Sequence, residues 1–189
     1  MKTLWKKAAK KGHAKSAYDL AEHYRMNYEP TEMLRYYKMA ADLGHIDASY
    51  FMGSFWETQK YHDLRNLQDS KFVAVCDNKI ITYYQRAADQ NHADACFSLA
   101  EFYERNHQKE LVLKYYHAAA YQNHTQALQK LGQYYDSNGD YHRMFEYYAL
   151  SMKNNTEIIW KISEFVREHS DLVFELLVEL LEKMIDIAK

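Results

Sequence analysis

The 189-residue chain contains few of the residues that build several protein classes. Its two cysteines, Cys76 and Cys96, argue against a disulfide-stabilised secreted scaffold and favour a reducing compartment. One proline and five glycines leave few interruptions of regular structure. Since Ala, Leu, Lys, Glu, Gln, Met and Tyr dominate instead, the composition predicts an all-α fold.

Neither charge nor hydropathy favours nucleic-acid binding or insertion into a membrane. The formal net charge is −2 with 26% charged residues, so we expect no nucleic-acid partner and no extensive disorder. No uncharged apolar stretch follows the first residues, and we expect no signal peptide. The most apolar segment, 172–188, carries several acidic residues and a lysine, so we expect no membrane span. These observations together predict a cytoplasmic protein.

What the chain does contain is an internal repeat. Two aromatic residues, two alanines and a Gly-His or Asn-His pair occur with the same spacing in residues 36–45, 83–92 and 115–124. The histidines that end these segments, together with an earlier one, are 32, 47 and 32 residues apart: His13, His45, His92 and His124. The unit is therefore 32 residues long, and one copy carries 15 more.

The spacing of the repeated histidines predicts the organisation of the chain. We expect one solenoid domain over 1–189, with repeats at 13–44, 45–91, 92–123 and 124–155. Residues 2–11 match half a unit, and the decayed pattern at 156–188 is expected to form a C-terminal cap of two helices. The second repeat contains an insertion at 58–79. We expect it to lengthen both helices of that repeat by about two turns, with the second helix beginning near Asp69 or Ser70. The insertion could be a partner-specific projection or a tolerated extension, and the residues leave both open.

Each unit is predicted to be a helical hairpin. Counting from the histidine as position 0, the residues at +3, +7, +8 and +11 lie on one face of a first helix, helix A, at about 14–26 and its equivalents. Position +8 is always Ala or Gly, which lets a neighbouring helix approach closely. Helix B is predicted at about 32–43, 80–90, 112–122 and 143–153. Before each histidine, and at the matching fifth place, stands a residue that readily closes a helix in the left-handed conformation: Gly12, Gly44, Asn91, Asn123 and Asn155.

These motifs resemble a known family. Leu131-Gly132-x-x-Tyr135, followed by an aromatic-then-Ala helix, resembles the tetratricopeptide superfamily. The segment Ala40-Ala41-x-x-Gly44-His45-x-x-Ala48 is similar more specifically to Sel1-like repeats. The resemblance implies a right-handed α/α superhelix that serves as an adaptor or scaffold for other proteins. The cysteine-rich secreted members bridge their helices within each repeat, and the two cysteines here offer no such pairs.

We expect no enzymatic activity, cofactor or metal. The repeat histidines are expected to cap turns in a row at about 10 Å steps, too far apart to share one ion, although His92-x-x-x-Cys96 has the helical spacing of two ligands. Neither cysteine lies in a catalytic motif, and no nucleotide-binding or zinc-protease motif occurs. Two other functions stay open: a small-ligand-binding or hydrolytic protein with a pocket inside the superhelix, and a structural module of a larger oligomeric assembly.

The predicted binding surface is the outward side of helix A. The resemblance implies that helix A lines the concave face, and positions +2, +6 and +9 vary between copies as a specific groove would require. The candidate partner-binding residues are Lys15, Asp19, Glu22, Asp47, Phe51, Ser54, Asp94, Ser98, Glu101, Gln126, Lys130 and Gln133. Because the central part is acidic with one Phe expected to be exposed, we predict a peptide or helical partner with Lys/Arg residues and an apolar anchor. The last helix, 172–188, is apolar nearly all round, which suggests a homodimer through that helix.

Overall fold

The computed structural model describes residues 1–66, 70–151 and 166–167, and within these residues the only regular structure is helical. This confirms the all-α prediction. The helices in order are α1 Lys2–Lys10, α2 Ala14–Met26, α3 Pro30–Asp42, α4 Ile46–Asn66, α5 Ser70–Ala88, α6 Ala93–Arg105, α7 Lys109–Tyr121, α8 Thr125–Ser137 and α9 Tyr141–Ser151. Apart from residues 166–167, the predicted C-terminal cap and dimer helix lie outside the described residues. None of the described helices has the length and apolar character needed to cross a bilayer.

The helices pair as hairpins. α2 packs on α3, α4 on α5, α6 on α7 and α8 on α9, so α2, α4, α6 and α8 are helices A and the others helices B. The chain divides into two compact units, Met1–Gln122 with α1–α7 and Asn123–Lys189 with α8 and α9. Within the first unit, α1 also packs on α2, α3 on α4 and α5 on α6, which stacks the hairpins in chain order. That the whole chain forms one solenoid domain stays a prediction.

The repeat histidines begin the helices A. The Nδ1 atom of His13 accepts a hydrogen bond from the N–H of Ser16 at 3.2 Å. The equivalent bond, donated by the backbone N–H three residues after the histidine, measures 3.5 Å at His45, 3.2 Å at His92 and 3.3 Å at His124. Such a bond satisfies one of the amide donors that the first turn of a helix leaves free. The predicted turn-capping role of the histidines is confirmed.

The residues before the histidines end the helices B as predicted. Gly12 and Gly44 have φ of 88°, and Asn91 and Asn123 have φ of 60°. Asn155 lies outside the described residues. A second left-handed position occurs at +15, in the turn between helices A and B, where Tyr28, His107 and Gly139 have φ of 57°, 58° and 71°. The sequence did not reveal this position, because Tyr and His carry no signal for a left-handed turn.

The small residue at +8 lies where helix B comes closest to helix A. A Cβ atom on Gly53 would lie within 3.0 Å of three ring atoms of Tyr84. A Cβ atom on Gly132 would meet the ring of Tyr148 in the same way. Only a residue without a side chain accommodates the tyrosine ring at these two places, which agrees with the predicted close approach.

The insertion lengthens both helices of the second hairpin, as predicted. α4 has 21 residues and α5 has 19, against 13 in α2 and α3, and α5 begins at Ser70. Nζ of Lys60 on α4 forms an ion pair with Asp77 on α5 at 2.5 Å. The same ammonium group lies 5.4 Å from the ring centre of Phe102 on α6, so the added turns also contact the next hairpin.

Candidate partner-binding face on α2, α4 and α6

Nine of the twelve predicted binding residues lie on helices A of the first unit, and we call them the helix-A face. Its exposed members are Lys15, Asp47, Ser54 and Asp94, and its half-buried members are Asp19, Glu22, Phe51, Ser98 and Glu101. The other three lie on α8 in the second unit, where Gln126 and Gln133 are exposed and Lys130 is half-buried.

A tyrosine of α3 reaches between two successive helices A, α2 and α4. Tyr37 of α3 is 1% exposed, and its hydroxyl donates a hydrogen bond to Glu22 on α2. The ring of Tyr37 stacks on Phe51 of α4, with centroids 3.8 Å apart and an interplanar angle of 20°. Phe51 is therefore half-buried against the preceding hairpin and not exposed as predicted, because the tyrosine ring covers one of its faces.

The hydrogen bond from a helix-B tyrosine to a helix-A glutamate recurs in the next two hairpins. Tyr84 of α5 donates to Glu57 of α4 at 2.8 Å, and Tyr116 of α7 donates to Glu104 of α6 at 2.9 Å. Arg105, at the end of α6, also contacts the Glu57 carboxylate. Each carboxylate of this kind is thus held in place by a buried tyrosine of its own hairpin.

Burial and hydrogen bonding set the charge state of these groups. Burial, followed by the hydrogen bond to Glu22, raises the pKa of Tyr37 well above its usual range. Burial would also raise the pKa of Glu22, but hydrogen bonds from Arg25 and Tyr37 outweigh it and lower that pKa. Tyr37 stays protonated and Glu22 ionised at neutral pH, so the hydrogen bond between them is charge-assisted.

A second recurring contact joins adjacent helices A. The ring of Tyr18 stacks on His45 with centroids 4.2 Å apart, and that of Tyr50 stacks on His92 with centroids 4.7 Å apart. Tyr18 and Tyr50 stand five residues after the histidine of their own repeat, and Phe97 has this position in the next repeat. The sequence reasoning missed both this position and the +12 glutamates, Glu57 and Glu104. A column-by-column reading of the units would have revealed them, since both recur in phase with the histidines.

The helix-A face is acidic. Among its nine residues are five carboxylates and one lysine, Lys15, whose Nζ lies 3.6 Å from Asp19; Arg25, outside the nine, pairs with Glu22 at 2.7 Å. Asp47 has 59% of its side chain exposed, and its carboxylate lies 3.6 Å from Nε2 of His92. A surface with this excess of negative charge attracts cationic ligands and repels anionic ones.

Within the described part of the chain, no group of three His, Cys, Asp or Glu side chains is arranged to hold a metal ion. At the His92-x-x-x-Cys96 spacing, the imidazole Nδ1 already accepts the capping bond from Ala95, and Cys96 is 2% exposed. This pair therefore caps and packs a helix in the structure.

Comparison with known proteins identifies the fold. No protein-family model matches the chain, and no curated protein matches it significantly. Among solved structures it resembles a protective antigen present in uropathogenic Escherichia coli strains that displays an SLR (Sel1-like repeat) fold. The TM-score is 0.70 at 21% sequence identity, over 89% of this chain and 37% of the antigen, so this chain spans little more than a third of that protein. The chain has the fold of Sel1-like repeats, an all-helical repeat architecture of the α-solenoid class.

Proposed function

We propose that this protein is a non-enzymatic interaction adaptor whose helix-A face binds a peptide or helix carrying Lys or Arg residues. The observation that carries the proposal is the acidic character of that face, five carboxylates against one lysine over three stacked hairpins. Repeat folds of this kind often serve protein interactions, since each added unit extends the same surface. The choice of face is supported by the resemblance to the tetratricopeptide superfamily, in which helix A lines the concave surface where ligands lie.

The buried Tyr37 supports the proposal because it holds one carboxylate of the helix-A face, Glu22, in a fixed position before any partner arrives. Glu22 accepts hydrogen bonds from both Tyr37 and Arg25. A carboxylate that is already ordered loses little side-chain entropy on binding, so more of the interaction energy appears as affinity. The other carboxylates of the face, Asp47 and Glu101 among them, add negative charge to it.

Phe51 supplies apolar surface at the centre of the face. Its ring covers Tyr37 on one side and remains partly accessible to solvent. A ligand with an aliphatic side chain between two basic residues would place that side chain on Phe51 and its cations on the neighbouring carboxylates. The second unit, with Gln126, Lys130 and Gln133, is not required for this site.

The test is charge reversal at one exposed and one half-buried carboxylate of the face. The probe is a fluorescein-labelled peptide in which lysines alternate with leucines, and the readout is fluorescence anisotropy at low and high ionic strength. We expect Asp47→Lys combined with Glu101→Lys to weaken binding by about tenfold or more. The matched control, Glu29→Lys with Glu110→Lys, makes the same change of net charge at exposed sites on the helix-B side. Equal weakening in both double variants would show that only net charge attracts the probe, and the proposal would be wrong.

Phe51→Ala is a separate arm, because Phe51 also packs on Tyr37 and its loss lowers stability. It is informative at temperatures where circular dichroism shows the variant to be folded. The proposal predicts weaker binding of the lysine–leucine peptide and little change for a lysine–serine peptide. The cytoplasmic location and the homodimer through the C-terminal helix stay predictions.

A further inference from the structure

A second surface in the first unit has the opposite charge, and it lies between two helices of the B type. The C-terminal parts of α1 and α3 border a groove of about 580 Å³. Its floor is apolar, formed by Ala9, Met39 and Leu43, and its rim carries Lys10, Arg35 and Lys38. None of these residues belongs to the helix-A face. We call this surface the α1–α3 groove.

A glycine, Gly12, borders the apolar floor where the chain leaves α1. Gly12 ends α1 with φ of 88°, and a Cβ atom there would meet only Leu43, at 3.9 Å. Leu43 is 40% exposed, and Met39, one turn earlier on α3, packs partly against the core. An apolar side chain laid on Leu43 and Met39 would lose water contacts at little steric cost.

The positive charges of the rim are only partly neutralised within the chain, since Lys38 and Arg35 have acidic partners and Lys10 has none within the described residues. Lys10 forms no ion pair within the described residues, and no acidic residue precedes it. Asp42 is the one carboxylate of the lining, and both Lys38 at 2.6 Å and Arg86 at 3.2 Å pair with it. Arg35 lies 3.5 Å from Glu32 with 62% of its side chain exposed, so its guanidinium remains accessible to another acceptor. The groove therefore retains net positive charge next to apolar surface.

We propose that the α1–α3 groove binds an acidic peptide segment. An apolar side chain of the ligand lies on Met39 and Leu43, and flanking Glu or Asp carboxylates contact Lys10 and Arg35. The apolar floor favours a peptide over a nucleic acid, whose phosphates would gain nothing from Leu43 and would meet the Asp42 carboxylate. The concave form and the volume, which fits a few side chains, favour a peptide over a flat anionic membrane.

This inference is independent of the proposed function. The helix-A face would bind a basic ligand and the α1–α3 groove an acidic one, on opposite types of helix in the same unit. Either site can fail its own test without affecting the other, because the two sets of lining residues do not overlap. If both hold, the first unit connects two partners of opposite charge.

The experiment uses the full chain and a fluorescein-labelled peptide in which glutamates alternate with leucines. We expect Lys10→Glu combined with Arg35→Glu to weaken binding by about tenfold or more, and Leu43→Ser by about threefold or more. The matched control is Lys7→Glu with Lys109→Glu, which changes the net charge equally at exposed lysines outside the groove. The control should bind within about threefold of the wild type. Circular dichroism confirms that each variant is folded, and Lys10→Gln with Arg35→Gln replaces the reversal if that variant does not fold.

Three results would overturn the proposal. One is equal weakening in the groove and control variants. Another is binding of single-stranded RNA or phosphatidylserine vesicles that is as tight as that of the peptide and is unaffected by Leu43→Ser, which would make the groove a general anion-binding surface. The third is self-association that Lys10→Glu with Arg35→Glu abolishes, without binding of the peptide, which would identify the occupant as a second copy of the chain.

Discussion

The hydroxyl of Tyr84 lies 2.8 Å from Oε2 of Glu57, and Arg105 of the next hairpin contacts the other oxygen of the same carboxylate. One side chain of α4 thereby joins helix B of its own hairpin to helix A of the following one. Tyr84 is 1% exposed, so nearly all of its side chain is withdrawn from water. The Glu57 carboxylate is therefore part of the packing between repeats.

Tyr84→Phe tests this link. We expect the free energy of unfolding to fall by about 1–2 kcal/mol, because the buried side of Glu57 loses a charge-assisted hydrogen bond while the ring still packs. Urea denaturation followed by circular dichroism measures the change. Tyr121→Phe is the control, since Tyr121 is 92% exposed, and it should change stability by less than about 0.5 kcal/mol. Equal effects of the two substitutions would contradict the role given to Glu57.

Gly53→Ala should destabilise the protein although alanine is the better helix former. The added methyl group would lie within 3.0 Å of the Tyr84 ring, so we expect a loss of about 1–3 kcal/mol from overpacking. The neighbouring Ser54→Ala is exposed and should be neutral or slightly stabilising. Thermal melting of both variants decides the matter. A Gly53→Ala protein that is as stable as Ser54→Ala would show that the two helices separate without cost.

Acid should weaken the protein through His45. Burial is the main cause that lowers the pKa of His45 from its usual value of 6.5, and the ring also stacks on Tyr18. Below about pH 6.5 the unfolded chain therefore binds a proton more readily than the folded one. The stabilisation is complete above that pH and is lost as the pH falls through the lower, folded-state pKa.

His45→Ser isolates this effect, because serine also caps a helix and does not titrate. We expect the melting temperature of the wild type to fall more between about pH 7.5 and 5 than that of His45→Ser. The other histidines contribute equally to both proteins, so the difference reports on His45. Parallel curves would exclude a titrating cap at this position.

The two thiols should be unreactive in the folded protein. Cys76 is 0% and Cys96 is 2% exposed, and burial raises the pKa of Cys96, which lowers its thiolate fraction. Ellman's reagent should therefore modify the native protein slowly and both cysteines rapidly in guanidinium chloride. Fast modification of a thiol under native conditions would show that α5 or α6 opens locally, and the Cys76→Ala and Cys96→Ala variants would assign it.

The boundaries of the helices could be predicted from the sequence because local residue types determine them. Gly or Asn ends each described helix B before a histidine, and that histidine begins the next helix A. The longer second hairpin was predicted by the 47-residue spacing between His45 and His92, against 32 in the other repeats. The left-handed turns at Tyr28 and His107 could not be predicted, since they result from the geometry of the hairpin and not from residue preference.

The candidate site was less predictable, since the burial and hydrogen bonding of its residues depend on contacts between neighbouring repeats. The exposed acidic positions followed from helical periodicity. The partial burial of Phe51 did not, because the ring that covers it, Tyr37, comes from the preceding hairpin. The glutamate that accepts the tyrosine hydrogen bond also changes position: it stands at +9 in the first repeat and at +12 in the next two. No single position of the repeat therefore identifies it.

The extra residues of the second hairpin lengthen α4 and α5 together. Since both helices grow by about two turns, the ends that pack on α3 and α6 keep their register, and the alanines and histidine that follow stand in the same places as in the shorter units. A hairpin of this architecture can therefore accept new chain at its far end while its base is unchanged. We therefore expect the protein to tolerate a reporter or a foreign epitope that is inserted between α4 and α5.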